Sequence, residues 1–89
     1  MKQIKGVKSA KGLARIFVKK FTVACIVVIL PTGNYRIFVF QHGCRKLAQS
    51  GRADDLQEDL AEVMQTYPDA EVMEIELFRG DLWFGEVIE

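Results

Sequence analysis

The chain has 89 residues, 49% of them hydrophobic and 27% charged, which fits one soluble globular domain and excludes a disordered, fibrous or multidomain protein. Its formal charge is zero, yet residues 1–53 carry eleven Lys or Arg with no Asp or Glu, and residues 54–89 carry twelve Asp or Glu with one basic residue, Arg79. A chain this short buries only about 60% of its unfolded surface, leaving little room for a deep catalytic cleft.

The first twenty residues form a basic segment in which Ser9–Lys20 admits two readings. As a helix, Ser9 caps it, Leu13, Ala14, Phe17 and Phe21 make an apolar stripe, and Lys11, Arg15 and Lys19 line another face. As a strand, Ile16–Val18 extends the next element; the helix is favoured, although Gly6 and Gly12 weaken it. The apolar run from Phe21 to Leu30 matches a secretory apolar region in length, but no small-x-small site follows it, and it is far shorter than the roughly 18 residues of a membrane span. The expectation is a protein without a membrane segment and with reduced cysteines, hence cytoplasmic.

Val23–Leu30 is apolar on both faces and predicts a central strand, with Tyr35–Gln41 as its antiparallel partner across the tight turn Pro31-Thr32-Gly33-Asn34. Gly43–Gly51 shows no clear period and reads as a loop with room for one helical turn. From Ala53 to Tyr67, Leu56, Leu60, Val63 and Tyr67 recur at helical spacing; Asp54 with Gln57 suits a capping pair, and Pro68 stops the helix. Glu71–Phe78 alternates as a half-buried strand, with Met73, Ile75 and Leu77 on one face and Glu74 and Glu76 on the other. Arg79-Gly80-Asp81 supplies a turn, and Leu82–Ile88 returns as a last strand with Trp83 and Val87 on one face. The expected architecture is a single α+β domain, residues 1–89, in helix, hairpin, helix, hairpin order, with an antiparallel sheet covered on one face.

No motif for catalysis stands out. His42 has only Cys44 nearby as a nucleophile, with every carboxylate in the other half of the chain. Cys25, His42 and Cys44 lack a fourth ligand and the paired spacing of a zinc site, so neither metal nor cofactor is expected, and the chain reads as a non-enzyme. Arg79-Gly80-Asp81 is a tripeptide that some adhesion receptors read, but a hairpin turn explains it. Tyr35, Phe38 and Phe40 beside Arg36 loosely match the aromatic strand of an RNA-recognition fold without its glycines.

Charge placement is the functional signal. The candidate contacts to nucleic acid or an acidic partner are Lys2, Lys5, Lys8, Lys11, Arg15, Lys19 and Lys20, with Arg36, Arg45, Lys46 and Arg52 as a second group. The candidate acidic partner face is Asp54, Asp55, Glu58, Asp59 and Glu62, where like charges four apart each cost a few tenths of a kcal/mol and no Lys is interleaved. A self-contained internal network would absorb both sets; separate surfaces would leave at least one for a partner.

A single compact domain with the basic block Lys2 to Lys20, the acidic block Asp54 to Glu62 and no catalytic constellation resembles, in overall build, the small phage-encoded inhibitors of bacterial defence of the anti-CRISPR type. That resemblance implies a stoichiometric protein that binds a nucleoprotein complex and blocks nucleic-acid access, by a basic surface touching RNA or DNA and protein, or by an acidic helix imitating phosphates. The rival expectation is a structural or regulatory module that self-associates through its oppositely charged halves.

Overall fold

The computed structural model describes the backbone of residues 2–5 and 10–89 and the side chains from Arg15 onward. Its elements are β1 (Lys2–Lys5), α1 (Ala10–Lys20), β2 (Val23–Ile29), β3 (Asn34–Gln41), β4 (Cys44–Arg52), α2 (Leu56–Thr66), β5 (Glu71–Glu76), β6 (Leu82–Trp83) and β7 (Glu86–Val87), with a 3-10 turn at Ala53–Asp55 leading into α2. Five strands form one sheet in the order β1-β5-β2-β3-β4, and β6 and β7 form a separate small hairpin. The α+β class holds. The sheet, however, is mixed: β2, β3 and β4 are antiparallel neighbours, whereas β5 runs parallel to both β2 and β1.

β2 sits at the centre because its side chains are apolar on both sides, so both can be covered. Ile26 and Val28 join Phe38, Met73, Ile75, Leu77, Trp83 and Ile88 on one face, against Phe17 and Val18 of α1 and the β6-β7 hairpin. Cys25 and Val27 join Tyr35, Ile37 and Val39 on the other, against Leu56, Leu60 and Val63 of α2. The sheet is therefore covered on both faces, correcting the expectation of one. Each large aliphatic side chain buried in these layers contributes roughly 1.5–3 kcal/mol.

Other expectations fail for local reasons. Gly43–Gly51 is not a loop but most of β4, an edge strand joined to β3 by the two-residue turn His42-Gly43, with φ of 54° and 76°. Two successive left-handed residues are the signature of a type I′ hairpin turn, whose twist matches that of the strands it joins. A bulge between Ile37 and Phe38 then shifts the β3-β4 register. The last strand does not pair with Glu71–Phe78: β5 is taken by β1 and β2, and Leu82–Val87 folds on itself around Phe84 and Gly85, φ 48° and 85°. Within this hairpin Trp83 is buried and opposite Glu86, while Val87 is exposed and opposite Leu82, so Trp83 and Val87 do not share a face. No side chain caps α2; the 3-10 turn leads the chain into the helix instead of an Asp54–Gln57 capping pair. The Ser9 cap lies outside the described residues.

Candidate binding surfaces

The two helices pack on opposite faces of the sheet, and each exposes charge of one sign. On α1, Arg15, Lys19 and Lys20 are exposed while Phe17 and Val18 turn inward. Lys19 and Lys20 occupy the last turn, where the negative end of the helix dipole favours cations. Asp54 and Asp55 of the 3-10 turn and Glu58 and Glu62 of α2 are exposed, and Val63 is the buried anchor of the helix.

The remaining basic residues are not brought together. Lys2 and Lys5 lie on β1 at one sheet edge, and Arg45, Lys46 and Arg52 on β4 at the other, four strand spacings or about 19 Å away. Arg36 and Arg45 belong to the face that α1 covers. The Arg36 guanidinium is paired with Glu86 of β7, its Nη1 lying 3.0 Å and 3.2 Å from the two carboxylate oxygens. The Arg45 guanidinium lies 4.5 Å from the Phe84 ring centroid and 5.5 Å from that of Phe38. Lys46 belongs to the α2 face, where it lines a cavity with Glu62, Val63 and Tyr67. Lys11 is on α1, and Lys8 lies outside the described residues.

Asp59 differs from the other acids of its helix. It is half-buried and accepts a hydrogen bond from the hydroxyl of Tyr35, a β3 residue with no exposed surface. Burial, reinforced by the bond to and charge of Asp59, pushes the Tyr35 phenol up to about 12. Gly51 of β4 completes the arrangement, since a Cβ there would lie 3.2 Å from Tyr35 Cε2. Asp59 thus fastens α2 to the sheet, whereas its helical neighbours face solvent.

The tempting motifs are placed as follows. Asp81 is 4% exposed, and its carboxylate accepts the Phe78 N–H at 2.7 Å, so the acid of Arg79-Gly80-Asp81 is engaged in shaping its own turn. Tyr35 faces α2 while Phe38 and Phe40 face the other way; Phe38 is buried beside Trp83, and Phe40 stacks on Phe84 at 5.9 Å. No open aromatic shelf runs along β3. Cys25 is buried, with its thiol pushed up to about 11 by desolvation, while His42 and Cys44 are exposed at the β3-β4 turn. Among the described residues, no group of three or more His, Cys, Asp or Glu side chains could hold a metal ion, and no helix is long and apolar enough to cross a membrane.

Sequence reasoning missed the cluster of Trp83, Phe84 and Arg45. Trp83 is 1% exposed, meets Phe84 edge-on at 4.8 Å, and its indole Nε1–H has no acceptor among the described residues. A buried donor left this way costs about 1–3 kcal/mol. Phe84 holds a left-handed backbone unusual for a bulky side chain, a conformation that costs on the order of 1–3 kcal/mol. The available signal was Phe84-Gly85 between Trp83 and Glu86, a two-residue turn sequence. Compared with known protein families, curated proteins and solved structures, the chain matches none.

Proposed function

We propose that this chain is a non-catalytic, stoichiometric binding domain that engages a nucleoprotein complex through the basic α1 surface and obstructs access of nucleic acid, as the anti-CRISPR-type inhibitors it resembles in build do. One observation carries the reading: Arg15, Lys19 and Lys20 are exposed on one side of the sheet and the exposed acids of α2 on the other. The molecule's shortest dimension is 19 Å. Charges screen over about 8 Å at physiological salt, so each side presents its own field despite overall neutrality. The second reading, the acidic helix imitating phosphates, is favoured by exposed Asp54, Glu58 and Glu62 at successive four-residue spacings with no cation in α2.

Two charge-reversed triples test this, read as competition with nucleic acid for the complex that co-purifies with the tagged protein, with and without nuclease. Arg15→Glu, Lys19→Glu and Lys20→Glu together abolish capture under the first reading. Asp54→Lys, Glu58→Lys and Glu62→Lys together abolish it under the second. If the contacts are to phosphates, each basic residue removed lowers the salt slope by about 0.9. Capture unchanged by both triples refutes both readings.

A further inference from the structure

The free edge of the sheet carries an inference that does not rest on α1. β4 is the outermost strand beside β3, and among the described residues no further strand pairs with it. Along its nine residues one row of backbone donors and acceptors bonds to β3, and the other row is left for solvent or another chain. Folded proteins commonly guard such an edge with charge, and here the charge has one sign: Arg45, Lys46 and Arg52, with no Asp or Glu in the strand. None of the three has a carboxylate partner among the described residues. Such an edge repels basic strands and selects acidic ones.

On the α1 face a cavity of about 250 Å³ opens beside this edge, lined by Phe38, Arg45, Leu47, Trp83 and Phe84, with the Arg36–Glu86 ion pair closing one side so that the Glu86 charge is already neutralised. Three features of the lining stand out. Leu47, opposite Phe38 in register, is left 50% exposed. Trp83 keeps a buried N–H without an acceptor. Phe84, a bulky residue where Asn or Gly is usual, takes the first left-handed position of the β6-β7 turn and thereby sits under the Arg45 guanidinium. Strain and an unused donor around one cavity are what a preorganised binding site retains.

We propose that β4 and this cavity receive an extended acidic segment of a partner protein, which adds to the sheet as a further strand. Main-chain hydrogen bonds to β4 supply the register, and alternate side chains point to the two faces. Those on the α1 side meet Arg45, Leu47 and the cavity; those on the α2 side meet Lys46 and Gln49. A second copy is the poorer occupant, because pairing β4 with β4 brings two strands of charge +3 together.

The probe is a fluorescein-labelled octapeptide of alternating Glu and Val, followed by anisotropy and by amide hydrogen exchange of the protein, with a Lys and Val octapeptide as control. The expected result is saturable binding of the acidic peptide only, with slowed exchange in Cys44–Arg52. N-methylation at alternate residues should abolish binding when it falls on one edge of the peptide and spare it on the other. Arg45→Glu, checked for an unchanged Tm, should weaken binding by roughly tenfold. Equal binding of both peptides, indifference to N-methylation, binding without protection of β4, or a peptide-free dimer protected at β4 would each overturn the proposal. Competition by an oligonucleotide without β4 protection would overturn it as well, and would leave the α1 reading standing.

Discussion

Replacing Tyr35 by Phe isolates the bond that fastens the acidic helix to the sheet. The ring has no exposed surface, so the substitution leaves the packing and removes only the hydroxyl that donates to Asp59. Hydrogen bonds to charged groups are worth about 1.5–3 kcal/mol, and Asp59 is half-buried and can be rehydrated, which places the loss near the lower figure. For a domain of this size about 1.5 kcal/mol lowers Tm by roughly 6–12 °C. The pH dependence gives a second readout. The phenol is pushed up to about 12 in the folded chain against 10 in the unfolded one. Between those values the folded state holds a proton that the unfolded state has lost. Stability from this group is therefore complete below pH 10 and is lost as pH rises towards 12. Urea unfolding followed by Trp83 fluorescence, from pH 7 to pH 11.5 (about the upper limit set by that titration), should show the wild type converging on Tyr35→Phe at the alkaline end. A variant within about 0.5 kcal/mol of wild type at neutral pH, or a gap that stays constant through the alkaline range, would refute this account.

The cysteines should behave oppositely. At pH 8 a thiol reagent should titrate exposed Cys44 quickly and reach buried Cys25, whose thiol sits at about 11, only on unfolding; equal native rates would contradict this, and Cys44→Ser should remove the fast phase. Asp81→Ala should cost about 1–3 kcal/mol by leaving the Phe78 N–H without its carboxylate, with faster amide exchange confined to residues 78–88. An unchanged Tm would show that the turn holds without its acid.

Legibility followed how local each determinant is. β2 could be read from eight uncharged, largely β-branched residues, and α2 from Leu56, Leu60 and Val63, because burial on two faces or one stripe leaves its own period in the sequence. β4, by contrast, reads Cys-Arg-Lys-Leu-Ala-Gln-Ser-Gly-Arg, with no alternation. Its extended state is imposed by β3 through the His42-Gly43 turn, and turn type depends on backbone angles that His does not advertise as Asn would. β1 has one apolar residue in four and is a strand because β5 offers it an edge. Likewise, the alternation of Met73, Ile75 and Leu77 marks a strand but says nothing about its neighbours, since parallel pairing is a contact between distant segments. The aromatic cluster stayed hidden for a related reason: Arg45 and Phe84 are 39 positions apart and meet only once both hairpins exist.

The charge blocks were visible as blocks, and connectivity turns them into faces. β1, β2, β4 and β5 all point the same way, so β1-α1-β2 and β4-α2-β5 are both crossovers between parallel strands. Such crossovers are right-handed in the great majority of proteins. In the order β1-β5-β2-β3-β4 the first crossover moves in one direction along the sheet and the second moves back. Two crossovers of the same hand travelling in opposite directions must put their helices on opposite faces, which is where α1 and α2 pack. The exposed cations of the first crossover, Arg15, Lys19 and Lys20, thereby lie across the sheet from the exposed acids of the second, Asp54, Asp55, Glu58 and Glu62. A circular permutant that restores both connections should retain the division, because strand order and handedness set it, whereas exchanging the α1 and α2 surface residues should swap which face attracts a polyanion. Under the proposed α1 reading, gel shift of the exchanged variant on duplex DNA, with binding now lost by reversing charge on α2 and not on α1, would show that topology assigns the faces. Retention of binding at α1 after the exchange would show that it does not.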